Sequence, residues 1–166
     1  FSEQVEMDIM FYKKYMIFHM ICRCTRWHAA GEVINRSTDQ VLPMINSLWV
    51  QIHGPMKELI ADGVKSWARD IESAEFFLRR GIKLIIRAPE QHARYIERRG
   101  ALLRHQLHRV DKQLLEEGLT DIPFCYRLGE SVFSGNAMIS VDGSTPYNAL
   151  YGRVPHLLPN LHVNPD

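Results

Sequence analysis

Three acids stand where an acid has no packing reason to be. Asp8 falls in the middle of VEMDIMFY, an apolar stretch that alternates like a strand, where an unpaired charge is costly and needs a reason. Asp62 ends the apolar run ELIAD just before Gly63, at a strand-to-loop corner. Glu97 lies near the start of a long helical stretch. If the strand ending in Asp62 runs beside the first strand, the three carboxylates converge on one edge of a sheet, where α/β folds place their sites. Hard divalent cations take carboxylate oxygens and keep waters, so three acids that need no histidine or cysteine suit Mg²⁺ or Mn²⁺ rather than Zn²⁺. Two such ions about 4 Å apart would clamp the attacking and leaving oxygens of a phosphodiester in an in-line displacement. The chain holds 19 Asp and Glu residues, so spacing alone does not single out this triple.

The surroundings of Glu97 are basic. From Arg87 to Arg109 there are six arginines against two glutamates, in a chain whose formal net charge is +1. Glu97 sits among Arg94, Arg98, Arg99 and Arg104, an arrangement suited to a polyanion meeting a divalent cation. A total of +1 excludes a uniformly basic nucleic-acid coat protein, so any anionic partner has to be met by this local patch.

At 166 residues and 46% apolar, the chain can bury one core and is too short for two full domains. The expectation is a single domain over 1–166, with the core reaching to about 118 and C-terminal helices and an exit tail over 119–166. Cys22, Cys24 and Cys125 are odd in number and without repeated spacing, which argues for a reduced compartment and no disulfide framework. No window supplies the roughly 18 apolar residues of a membrane helix, and the N-terminus does not read as a secretory signal. Beginning at Phe1 and ending in HVNPD, the chain reads as a domain cut from something longer.

The elements that must position the acids follow from periodicity. VEMDIMFY puts Glu6, Asp8 and Met10 on one strand face and Val5, Met7, Ile9 and Phe11 on the other. Lys13-Lys14 is a polar turn, YMIFHMICRC a nearly continuous apolar strand, and RWHAAGEVI a third strand after the Thr25-Arg26 corner. Ser37 caps a helix through STDQVLPMINSLWVQIHG, with Pro43 expected within its first turn or so. MKELIADG is a short strand, a helix runs from Ala68 to Arg80, and IKLII is the last strand. A long helix from about Ala93 to Glu117 then carries Ile96, Leu103, Leu107, Val110 and Leu114 on one side, and Gly118 ends it. The remainder reads as irregular with one or two short helices. This order is a mixed α/β sheet with helices between its later strands.

Four blocks in sequence, VEMDIMFYKKYMIFHMICRCTRWHAAGEVI, ELIADGVKSW, GIKLIIRAPEQHARYIERRGALLRHQL and NAMISVDGSTPYNALYGRVP, resemble a retroviral or retrotransposon integrase catalytic core. The likeness covers nearly the whole chain. It is strongest to long-terminal-repeat retrotransposon integrases, where a Thr-Pro-Tyr block before a Tyr-Gly or Phe-Gly pair is common. The resemblance implies a ribonuclease-H-like fold, with a mixed five-stranded sheet of three antiparallel strands and then two parallel ones, flanked by helices. It implies an Asp, Asp, Glu triad at Asp8, Asp62 and Glu97, with 34 residues between the last two, one short of that family's commonest spacing. It also implies Mg²⁺ or Mn²⁺, two ions, as cofactor; retroelement ends and target DNA as partners; a homodimer or higher homo-oligomer; and the nucleus, or a cytoplasmic virus-like particle, as location. The implied activity is 3′-end processing and strand transfer, phosphoryl transfers that need metal, alignment and electrostatics rather than a covalent enzyme intermediate. Gln91, His92, Arg94, Tyr95 and Arg98 correspond to the loop and helix start over the DNA end. Two departures stand out: Asp62 is followed directly by Gly63 where the family usually has Asn-Gly, and Ala93 to Ile96 replace the Asn-Gly ahead of the third acid. The alternative is an integrase-like domain kept as a non-catalytic dimerisation or DNA-binding module.

Other chemistry-bearing groups have plainer readings. His19, Cys22, Cys24 and His28 could be read as a zinc cluster, but His19 and Cys22 fall on opposite strand faces, so buried inert thiols are the default. Trp27, Trp49 and Trp67 read as core or interface anchors rather than base-stacking platforms. Arg94, Arg98 and Arg109 have a solvated helix face as the competing reading to phosphate contact.

Overall fold

A computed structural model describes residues 1–62, 70–87 and 94–156. β1 (Gln4–Tyr12), β2 (Tyr15–Cys22) and β3 (His28–Val33) form an antiparallel meander, and β4 (Glu58–Asp62) and β5 (Lys83–Arg87) add in parallel, giving the order β3-β2-β1-β4-β5. The expected mixed five-stranded sheet is therefore present, with β1 central.

Alternation along β1 divides the core into two layers. Val5 and Met7 point to one face with Phe18, Met20 and Leu59, where α1 (Thr38–Ile45) and α3 (Ile71–Arg79) contribute Val41, Leu42, Ile45 and Phe77. Met10 and Tyr12 point to the other with Ile17, where α4 (Arg94–Glu116) and α5 (Phe124–Met138) contribute Leu103, Leu107, Phe124 and Leu128. Each of these fully covered aliphatic side chains is worth about 1.5–3 kcal/mol of burial. The sheet is thus covered on both faces, as parallel strands require.

Local chemistry sets the helix ends. Asp70 caps α3 by accepting from the Ser73 amide at 3.1 Å, and Gly81 leaves the helix at φ 65°. The TPYNALYG block is a self-contained helix signal: Thr145 accepts from the Asn148 amide at 3.1 Å, Pro146 takes a first-turn position, and Gly152 adopts φ 67° at the end of α6 (Pro146–Tyr151). Two elements depart from expectation. Pro43 is the sixth residue of α1, past the first turn, and the helix widens into a π turn (Asn46–Val50) before a last turn, α2 (Gln51–His53). The region read as irregular contains the 15-residue α5. Its glycines and serines have low helix propensity, and what holds it is tertiary: Phe124, Leu128, Ser131 and Gly135 are buried.

Gly135 is needed where it stands. A Cβ there would lie 2.5 Å from Arg99 Nη2, whereas one at Gly129 in the same helix meets nothing within 4 Å. Gly135→Ala is therefore expected to cost about 1–3 kcal/mol by overpacking. Gly129→Ala should stabilise by about 0.5–1 kcal/mol. Urea unfolding of the two variants checks the contrast.

Candidate metal and nucleic-acid site

The register brings the first two acids together. The last paired row between β1 and β4 is Met7 with Ala61, so Asp8 and Asp62 each stand one step beyond it on neighbouring strands. Asp62 is paired on its other side with Arg87 of β5. The side chain of Asp62 is outside what the structure describes.

The third acid arrives through the path of α4. Ile96 packs on Ile21, which is the cross-strand partner of Glu6, and the Ile96 amide donates to Glu6 Oε2 at 3.0 Å. One turn on, Gly100 lies against the sheet, since a Cβ there would be 3.1 Å from His19 Cε1 and 3.5 Å from Met10 Sδ. His19 is the cross-strand partner of Asp8. The helix therefore runs along β1 in the same direction, over Glu6 first and over Asp8 and Met10 next. Glu97, between these two contacts, is brought level with Asp8. Asp8 is half-buried, with Oδ1 accepting from the Ile9 amide at 2.7 Å, and Glu97 is exposed.

This donor set is all oxygen. Among the described residues no three His, Cys, Asp or Glu side chains gather closely enough to hold an ion, so a complete triad depends on Asp62. Carboxylates from two adjacent strand positions and a helix start fit a hard divalent cation.

The histidine and cysteine candidates resolve differently. His19 Nδ1 and His28 Nε2 lie 3.2 Å apart in the core, and both rings are buried. Burial first, then the Arg99 and Arg104 charges, hold His19 down at about 3; burial, Arg99 and His19 hold His28 well below its usual range. The pair is a neutral packing device between β2 and β3. Of the two thiols expected to be buried, Cys22 is, while Cys24 is exposed.

The basic patch also divides. Arg94 and Arg98 are exposed on the first turns of α4, as a phosphate contact needs. Arg99 is only 4% exposed and donates to Asn136 Oδ1 at 3.1 Å, while Asn136 clasps the backbone of His28 through bonds of 3.0 and 2.8 Å. Burial lowers Arg99 to about 10. Arg87 is bound to a buried acid, Glu6, at 3.1 Å. Arg87 and Arg99 thus belong to the framework, not to a surface for DNA. Tyr95 is partly exposed and stacked by two cations, with Arg26 at 3.8 Å and Arg23 at 5.1 Å from its ring centre. It borders both a 370 Å³ hollow, shared with Arg26, Arg98 and Asp142, and a 620 Å³ cleft, shared with Arg23, Lys57 and Glu58. Gln91 and His92 lie outside the described residues, as do Trp67, Gly63 and Ala93. Trp49 is fully buried, as a core anchor should be. Sequence reasoning passed over Glu6, although it is a second acid on the Asp8 face of an apolar strand.

No family model matches this chain, and no curated protein matches it. Solved structures do. A chain of the simian T-cell lymphotropic virus intasome, determined in complex with the PP2A regulatory subunit B56 gamma, superposes with a TM-score of 0.77 at 14% identity, over 99% of this chain and 59% of that one. The BIV integrase catalytic core superposes at 0.75 and 18% identity, over 90% and 93%. The HTLV-2 integrase catalytic core, determined with magnesium in a dimeric form, gives 0.69 and 14%, over 88% and 94%. The chain has the fold of a retroviral integrase catalytic core. Its integrase-core architecture thus spans nearly all of the isolated viral cores and 59% of the intasome chain.

The buried histidine pair makes the fold acid-sensitive. An unfolded chain takes up protons on both rings near pH 6.5, while folded His19 stays neutral down to about 3. Stability is therefore full above pH 6.5 and is lost as pH falls below it, by up to about 1.4 kcal/mol per pH unit for each ring. Urea unfolding at pH 7 and pH 5 should show this slope, and His19→Gln should flatten it.

Proposed function

We propose that this chain is the catalytic core of a metal-dependent DNA polynucleotidyl transferase that processes the 3′ ends of a retroelement and joins them to target DNA. The observation that carries the reading is the course of α4 along β1, over Glu6 and then His19 and Met10, with Asp8 and Asp62 each one step past the last paired row of neighbouring strands. The integrase-core fold supports it, and the HTLV-2 core was determined with magnesium. Asp8, Asp62 and Glu97 would hold Mg²⁺ or Mn²⁺, two ions, which when bound neutralise charge on the scissile phosphodiester and align its attacking and leaving oxygens. Asp8 is half-buried at a strand position fixed by pairing with His19, and Glu97 is exposed in the first turns of α4. Arg94 and Arg98 bind flanking phosphates, and Tyr95, held between Arg23 and Arg26, bounds the path of the strand with Gln91 and His92. Dimers or larger assemblies of the core, acting on DNA in the nucleus, complete the proposal.

The reading is tested with a chain extended to the length of the viral relatives, a labelled DNA end and Mn²⁺. Strand transfer or disintegration should be present and should fall by roughly 10²-fold or more in Asp62→Asn and Glu97→Gln. Arg98→Ala should weaken DNA binding across sequences and make its salt slope shallower by about one phosphate's worth. Activity unchanged in both acid variants would overturn the assignment of these acids, and no activity in the wild-type chain would favour the non-catalytic reading.

A further inference from the structure

Glu6 is fully buried in a strand whose neighbours are apolar, and none of the roles assigned above uses it. A carboxylate in such a place persists only where its partners replace water. Its three partners come from three different elements. Arg23 Nε, just past β2, lies 3.3 Å from Oε1; Arg87 Nη2, at the end of β5, lies 3.1 Å from the same oxygen; and the Ile96 amide in the first turn of α4 donates to Oε2 at 3.0 Å. Ile96 is the third residue of α4, so Glu6 takes the position an N-cap side chain normally fills, but from 90 residues away. Its negative charge also faces the positive end of a 23-residue helix.

From this we infer that Glu6 is a positioning residue: its buried carboxylate fixes the first turn of α4, and so sets Glu97 beside Asp8. This rests on the reading of Asp8 and Glu97 as a metal-holding pair. The connections on both sides are short and stiff. Asp8 follows Glu6 by two residues on the same strand face, and Glu97 directly follows Ile96. The stack of Arg26 and Arg23 on Tyr95 ties the same turn of α4 to the end of β2, through a ring that is partly exposed. The Glu6 bonds are enclosed and directional, so they set the register of the helix along its axis. Outer-shell partners of this kind orient metal ligands and shift affinity when removed.

Three variants separate positioning from plain stability. Glu6→Gln keeps the shape and loses the charge. Glu6→Asp keeps the charge and draws the carboxylate back from the Ile96 amide. Leu107→Ala destabilises the same helix away from the site. Amide exchange over Tyr95 to Arg98 and Mn²⁺ affinity by titration calorimetry are read on each. Both Glu6 variants are expected to exchange faster over that turn and to bind Mn²⁺ about tenfold more weakly, with Leu107→Ala unchanged in both. Glu6→Asp and Leu107→Ala should both unfold below the wild-type temperature, so faster exchange and weaker Mn²⁺ binding confined to the Glu6 variants report position rather than stability. Wild-type exchange over Tyr95 to Arg98 in both Glu6 variants would overturn the inference. A wild-type chain that binds no Mn²⁺ would instead remove the functional reading, and the exchange comparison would still decide whether Glu6 holds the helix start.

Discussion

The structure depends on one contact: α4 lying flat along β1, close enough that Gly100 touches His19 and Met10. A Cβ at that position would fall 3.1 Å from His19 Cε1, so the buried ring or the helix would have to give way. Because it stays down, Leu103 and Leu107 reach the second core layer, and the start of the helix arrives over Glu6, two residues before Asp8 in β1. The packing that stabilises the helix and the geometry that offers a metal site are the same event.

Around that contact the molecule spends polar groups sparingly and in pairs. His19 meets His28, Asn136 meets the His28 backbone and Arg99, and Glu6 meets Arg23, Arg87 and the Ile96 amide. The histidine pair joins neighbouring strands, while the Asn136 and Glu6 sets join elements far apart in the chain, where a satisfied buried polar group specifies one arrangement. Electrostatics here serves registration. Of the α4 arginines, Arg94, Arg98, Arg104 and Arg109 keep their charge on the surface.

Much of this was legible in the residues. The alternation that opens VEMDIMFY, the continuous apolar run in YMIFHMIC and the spacing of Ile96, Leu103 and Leu107 are each local patterns set by burial, and the sheet and long helix follow from them. The Thr-Pro and Tyr-Gly ends of α6 are local capping chemistry and equally readable. What escaped was set by contacts between distant residues. Gly135 of α5 is a glycine because Arg99 needs the room, a reason visible only once α4 and α5 are packed. Arg87 and Arg99 counted as surface charge until their partners, Glu6 and Asn136, were found far off in the chain. Glu6 itself looked like an ordinary strand acid beside Asp8, because nothing in sequence distinguishes a carboxylate that binds metal from one that holds a helix.

The central claim is that Asp8, Asp62 and Glu97 form one oxygen-donor site for divalent cations. Anomalous scattering from a crystal soaked in millimolar Mn²⁺ tests it most directly. The account predicts one or two peaks bridging Asp8 and Asp62, with Glu97 coordinating, and their loss in Asp8→Asn. Fully ordered acids with no anomalous peak between them at that concentration would contradict it.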